Sequence, residues 1–177
     1  YFNAKDEYKS VESVAIVDIG GGSTDFVYFQ KGEPKIANSV HFGCDVMWGN
    51  AFDKFKNSKK NGIYKKYKDT IGFETESLKS LNLHMISNDE STTQDIINFW
   101  ISNNAETKIA DKLRNDFAFA FAYHFTATIY YLASMLKAKE LSYPRTITFS
   151  GNGSRYIDQY ITSNETLLTE VTHLVMS

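Results

Sequence analysis

The stretch Asp18-Ile19-Gly20-Gly21-Gly22-Ser23-Thr24-Asp25 is the part of this sequence that indicates most about its fold. It lies between two apolar runs, residues 14–17 and 26–29, both rich in the β-branched and aromatic residues that are typical of strands. The pattern predicts two antiparallel strands joined by a glycine turn. The same residues carry most of what the sequence indicates about function.

A hairpin does not need three glycines, because one or two residues with positive φ are enough for a tight turn. The surplus predicts that the backbone comes close to another group, and successive N–H groups without Cβ atoms can bind phosphate oxygens. Asp18 could then hold a hydrated Mg²⁺ or orient a water molecule, while the Ser23 hydroxyl reaches a terminal phosphate oxygen. The alternative is a flexible bend in which Asp18 and Asp25 are ordinary turn acids.

Composition limits the class of protein but does not choose a ligand. With 177 residues, 42% of them hydrophobic, the chain can bury a core and is expected to form one domain with an inserted lobe. A net charge of −2 gives no general attraction to nucleic acid or to an anionic membrane, so neither partner is expected. The single cysteine, Cys44, excludes an internal disulfide and favours a cytoplasmic location.

Beyond the hairpin, the pattern continues as a sheet covered by helices. Residues 31–34 suggest a tight turn, residues 35–42 a third antiparallel strand and residues 45–55 a helix. The lysine- and tyrosine-rich segment 54–68 is typical of a solvated helical face more than of a nucleic-acid site. Residues 57–104 are expected to form an inserted lobe between core segments 12–56 and 105–177.

The second half of the chain contains another glycine-rich loop. Residues 105–140 predict one long helix or two joined ones. An apolar stretch within them invites comparison with a membrane span, but its polar residues and alanines favour a buried helix, with His124 as a satisfied core residue. A buried strand over 145–149 then leads into Ser150-Gly151-Asn152-Gly153-Ser154-Arg155 and a helix from about residue 156. Ligands of α/β sheets bind beyond such strand ends.

Together, the two loops resemble the second half of the actin-like ATPase superfamily, which includes Hsp70 chaperones, actin, bacterial filament proteins and sugar kinases. Their order, spacing and strand contexts agree with that family. The resemblance implies an α/β fold of the ribonuclease H-like type, with three antiparallel strands, a further strand and flanking helices. The turn at residues 41–45 resembles the Leu-Gly-Gly turn of Hsp70-like members, although Cys44 replaces the second glycine.

The resemblance also implies a role for each loop in binding Mg-ATP. Asp18 would lie on the side of the magnesium ion and the attacking water, and Asp25 matches the acid that closes the motif. The expected catalytic residues are Asp18 and Ser23, and the expected metal ligands are Asp18 and Asp25. The residues expected to bind the nucleotide are Gly20, Gly21, Gly22, Ser23 and Thr24 at the phosphates, and Gly151, Gly153, Ser154 and Arg155 at the adenosine.

The superfamily's first phosphate loop has no counterpart in this sequence, so the chain is expected to be one lobe truncated at both ends. The N-terminal half of the same parent protein would supply the other face of the cleft, and the lobe alone would be inactive. Two alternatives remain open. One is an exopolyphosphatase-like phosphohydrolase, which has a similar glycine motif. The other is a filament or scaffold protein that assembles with itself or a protein partner under nucleotide control.

Overall fold

The computed structural model describes residues 13–48 and 106–177. The predicted insert at 57–104 lies outside these residues, as does the second half of the helix predicted over 45–55. The chain divides into two compact units, one of residues 1–43 and 121–177 and the other of residues 44–120. The site residues named above all belong to the first unit.

Three antiparallel strands follow one another along the chain, as the sequence predicts. They are β1 (Ser13–Ile19), β2 (Thr24–Gln30) and β3 (Glu33–Val40). The turn between β2 and β3 is shorter than predicted, because Lys31 and Gly32 alone make it, with φ of 53° and 75°. Pro34 therefore lies inside β3, next to a bulge in the pairing with β2.

The fourth strand makes the sheet mixed. Strand β4 (Thr146–Ser150) pairs parallel with β1, and the strand order is β3-β2-β1-β4. Parallel pairing needs a long crossover, which here includes the longest described helix. The α/β class predicted from the sequence is confirmed.

The two faces of the sheet differ in burial, because side chains alternate along each strand. On the inner face Ile19, Val17 and Ala15 of β1 are fully buried, as are their partners Thr24 and Tyr28 on β2. On the outer face burial decreases toward the carboxyl end of β1, where Asp18 and its partner Asp25 are exposed. The glycine turn thus lies where the sheet opens to solvent.

Four helices occur among the described residues: α1 (Cys44–Trp48), α2 (Lys108–Ala138), α3 (Arg155–Tyr160) and α4 (Glu165–Met176). The segment predicted as one helix or two is a single helix. Phe117, Phe121 and Phe125 are buried at a spacing of four residues, whereas Phe119 is 77% exposed. No helix in the described ranges is long and apolar enough to cross a membrane.

The inner face of the sheet packs against the second half of α2. Phe125 contacts Phe149 of β4, with ring centroids 5.4 Å apart, and Tyr131 meets Phe26 of β2 edge-on at 5.7 Å. Asn38 of β3 donates a hydrogen bond to the Tyr131 hydroxyl at 2.8 Å. These contacts hold three strands to one helix and fix the sheet beneath the two glycine loops.

Helix α2 ends at Ala138, before the limit at residue 140 that the sequence predicts. Leu141 N–H donates to the Leu136 carbonyl at 2.9 Å and Glu140 N–H donates to the Lys137 carbonyl at 3.1 Å. These two bonds form a Schellman motif, which requires a left-handed residue. Glu140 occupies that position with φ of 54°, where glycine is the usual residue.

We expect Glu140→Gly to raise the free energy of unfolding by up to about 1 kcal/mol, because glycine adopts this φ without a Cβ penalty. Lys137→Gly, one turn earlier and also exposed, is the matched control and should lower it by about 1 kcal/mol. Urea denaturation of the two variants measures both changes. A loss of stability in Glu140→Gly would contradict the assignment of the helix terminus.

Candidate functional site

The two glycine-rich loops lie at the same edge of the sheet. Asp18 of β1 is paired with Ser150 of β4 in a parallel ladder, so both strands end side by side. Beyond the ladder, Gly153 N–H donates to the Ile19 carbonyl oxygen at 2.8 Å. Loops that are about 130 residues apart along the chain therefore meet directly.

Gly151 explains why the second loop begins with glycine. Its φ is +82°, and a Cβ at this position would overlap Asp18 Oδ1 and lie 2.5 Å from the Ile19 carbonyl oxygen. Both the backbone conformation and the lack of space exclude a side chain here. The lack of a side chain at Gly151 thus allows the two loops to contact each other, and it lets the second loop lie against the carboxylate of Asp18.

The first loop is closed by its own backbone and by the end of β3. Gly20 N–H donates to the Ser23 carbonyl at 2.9 Å. Gly43, which follows β3, lies so close to the loop that a Cβ there would be 2.5 Å from the carbonyl oxygens of Gly20 and Gly21. The carbonyl side of the loop is therefore covered by the chain itself.

The other side of the first loop has open space and unused donors. A Cβ added to Gly22 would meet no atom within 4 Å, and Gly22 does not have the positive φ that would require glycine. Within the described residues, the amides of Gly21, Gly22 and Ser23 donate to no backbone carbonyl. Three consecutive N–H groups of this kind can bind an anion.

Two carboxylates flank this loop on the outer face of the sheet. Asp18 and Asp25 are directly paired across β1 and β2, and Ser23 Oγ donates a long hydrogen bond of 3.4 Å to Asp25 Oδ2. The described ranges contain no group of three or more His, Cys, Asp or Glu side chains arranged to hold a metal ion. Two carboxylates nonetheless fit Mg²⁺, which takes few protein ligands and completes its shell with water and phosphate.

The remaining predicted site residues have mixed placements. Ser154 Oγ donates to the Gly151 carbonyl at 2.8 Å and stabilises the second loop. Arg155 is exposed at the start of α3, with its guanidinium 5.1 Å from the centroid of the Tyr156 ring. Thr24 differs from the others, because its side chain points to the buried inner face and its hydroxyl is already bonded. The structure thus does not bring the Thr24 side chain to the open side of the loop.

Thr24 is instead bonded to helix α2 and to the end of β3. Its hydroxyl donates to the Phe42 carbonyl oxygen at 2.8 Å and lies 3.0 Å from His124 Nε2. Because the hydroxyl proton is used by Phe42, His124 Nε2–H is the donor in the second bond. The sequence interpretation of His124 as a satisfied core residue agrees with these bonds, and burial lowers the pKa of His124 below its ordinary value of 6.5.

The lowered pKa makes stability depend on pH. Below about pH 6.5 the unfolded chain takes up a proton at His124 that the folded chain does not, so the free energy of unfolding should fall as the pH falls. The loss is at most about 1.4 kcal/mol per pH unit and ends at the pKa of the folded state. His124→Gln should remove this dependence in urea denaturation between pH 7.5 and 5.5. His173→Gln on exposed α4 is the control, and an equal effect of both variants would contradict the assignment.

Two residues near the site were not predicted as parts of it. Gly43 was assigned to a strand-to-helix turn, and its contact with Gly20 and Gly21 depends on how the sheet folds. His124 is 100 residues from Thr24 in the sequence, so no local pattern links them. The resemblance to a Leu-Gly-Gly turn was the only signal for Gly43, and the sequence held none for the bond of His124.

Comparisons with known proteins add no further assignment. No family model and no curated protein matches this chain. The interpretation of the site therefore depends on its own geometry and on the sequence motifs.

Proposed function

We propose that this chain binds the phosphates of Mg-ATP on the first glycine loop and the adenosine on the second. It would do so as the C-terminal half of the nucleotide-binding fold of an actin-like ATPase. The proposal depends on three consecutive amides, from Gly21 to Ser23, that donate to no backbone carbonyl within the described residues. This row lies beside the open position of Gly22.

The phosphate step follows from what each glycine contributes to the fold. Gly43 and Gly151 have internal reasons to lack a side chain, because a Cβ at either would overlap other atoms of the protein. Gly22 has no such reason. A ligand that approaches the backbone would explain why glycine is present at position 22. Phosphate oxygens suit this place, because they accept hydrogen bonds from a row of N–H donors.

Magnesium would be bound on the outer face, next to the phosphates. Asp18 and Asp25 offer the carboxylate oxygens that would hold the ion there. When bound, the ion would neutralise charge on the phosphates, and Asp18 would orient a water molecule. Ser23, which follows the amide row, would donate its hydroxyl to a terminal phosphate oxygen.

The adenosine step rests on the position of the second loop. Gly151 and Gly153 hold this loop against the end of β1, so a nucleotide on the first loop would extend directly over the second. Arg155 is exposed at the start of α3, where its planar guanidinium can stack on a base. Ser154 would keep the loop in shape through its bond to Gly151.

The sheet supports the finer fold assignment. Three antiparallel strands followed by a further strand, with helices flanking them, are the arrangement that the resemblance implies, and we infer a ribonuclease H-like half on this basis. The other face of the triphosphate would be bound by the N-terminal half of the parent protein, so turnover would require both halves. We place the parent in the cytoplasm.

The proposal predicts different responses to parts of the nucleotide. In ¹H–¹⁵N spectra of this chain, pyrophosphate should shift the amides of residues 20–23, adenosine those of residues 151–155, and Mg-ATP both sets. Binding by half a cleft is expected to be weak, with Kd of about a millimolar, which such titrations detect. A response to polyphosphate at 20–23 with none to adenosine would favour the phosphohydrolase alternative. No response at 20–23 to any phosphate would refute both readings.

Gly22→Ala provides the sharpest variant for the same titration. The added methyl group has space and an accessible backbone conformation, so the free energy of unfolding should stay constant or rise by about 0.5 kcal/mol. Pyrophosphate binding should weaken by about tenfold, because the methyl group occupies the path of the phosphate. Gly43→Ala is the opposite control, because overlap with Gly20 and Gly21 should cost about 1–3 kcal/mol of stability.

A second variant tests the role of Asp18 in binding magnesium. Mg²⁺ should tighten pyrophosphate binding to the native chain, and Asp18→Asn should reduce this enhancement by about tenfold, the equivalent of one charge-assisted contact. Binding without Mg²⁺ should stay equal or improve, because a negative charge next to the phosphates is removed. In the parent protein, Asp18→Ala should abolish ATP turnover and leave the fold intact. Full turnover in that variant would disprove the assignment.

A further inference from the structure

We infer that His124 is a positioning residue for the glycine loop at residues 20–23, and that it acts through the hydroxyl of Thr24. This inference rests on the proposed function for its effect on phosphate binding. The effect on the loop itself can be measured without any ligand.

The contact that carries the inference is polar and directional. His124 Nε2 lies 3.0 Å from Thr24 Oγ1, which in turn donates to the Phe42 carbonyl at 2.8 Å. The imidazole also packs against the Phe42 ring, with centroids 5.1 Å apart. Both polar partners are buried, with Thr24 0% exposed and His124 8% exposed. A buried hydrogen bond of this kind fixes geometry more strictly than an apolar contact.

The two bonded groups are the two supports of the glycine loop. Thr24 directly follows Ser23, so it fixes the point at which the loop enters β2. Phe42 directly precedes Gly43, which covers the carbonyl oxygens of Gly20 and Gly21. His124 therefore links both supports to helix α2 through one bonded chain of atoms.

Farther from the loop, the Tyr131 hydroxyl of α2 accepts a hydrogen bond from Asn38 at an exposed position. There α2 also holds the sheet by ring contacts, those of Phe125 with Phe149 and of Tyr131 with Phe26. Such contacts resist separation of the layers but allow small displacements. Loss of the His124 donor would leave the Thr24 oxygen buried with one bond fewer and would let the loop amides move. Donors that are no longer preorganised bind phosphate less tightly.

The experiment compares two variants that differ in one donor. His124→Gln places an amide N–H close to the position of Nε2, whereas His124→Leu keeps a similar volume without a donor. In ligand-free ¹H–¹⁵N spectra, the Gly21 and Gly22 amides should shift in His124→Leu and keep native positions in His124→Gln. Exchange of the Gly20 amide, which closes the loop, should be faster only in His124→Leu. Pyrophosphate affinity should fall about tenfold in His124→Leu and stay within about twofold of native in His124→Gln.

Leu136→Ala controls for a general loss of stability, since Leu136 is a fully buried residue near the far end of α2. It should lower the free energy of unfolding without moving the loop amides or changing pyrophosphate affinity. Native loop amide shifts in His124→Leu, or equal shifts in Leu136→Ala, would overturn the inference. If the loop moves as expected but the native chain binds no pyrophosphate, the positioning role stands and the proposed function fails.

Discussion

The parallel pairing of β1 with β4 is the constraint on which the site depends. It places Asp18 beside Ser150, and the bond from Gly153 N–H to the Ile19 carbonyl extends the contact past the ends of both strands. Without this pairing, the two glycine loops would be unrelated turns. With it, the outer carboxylates, the row of amides and the start of α3 all lie along one edge of the sheet, which is the usual position of ligands in α/β proteins.

The sequence predicted the strands and the long helix, because each depends on local patterns, whereas the closeness of the two loops was expected only from the resemblance to a known family. Apolar runs of β-branched and aromatic residues define β1 and β2, and a four-residue repeat of phenylalanines defines the buried face of α2. Glycine and proline marked most of the turns. The terminus of α2 was predicted too late, because the left-handed residue there is Glu140, which gives no sequence signal for that conformation. Pro34 was assigned to a turn, although an edge strand also tolerates proline.

The details of the site depend on contacts between distant residues, so the sequence could not supply them. The Thr24 side chain was expected near the phosphates, but alternation along β2 directs it to the inner face, where it meets His124. Gly43 covers the first loop only because β3 returns alongside β2. Gly43, which the sequence assigned to a turn, and His124, which it assigned to the core, thus both support the first glycine loop. The glycines of the two loops consequently serve different purposes: Gly151 relieves overlap, and Gly22 leaves room.

Strand β3 also has features that oppose the addition of a strand from another molecule to the sheet. It is the edge strand on its side of the described sheet, and an edge strand can pair with a strand from another molecule. Pro34 has no N–H group to donate on this strand, and the adjacent bulge twists the backbone away from a flat ladder. Lys35 and Glu33 form an ion pair at 2.6 Å on this strand, and a stacked copy would have to bury both charges. Strand β3 is thus a poor template for fibril growth, even though the neighbouring strands are strongly apolar.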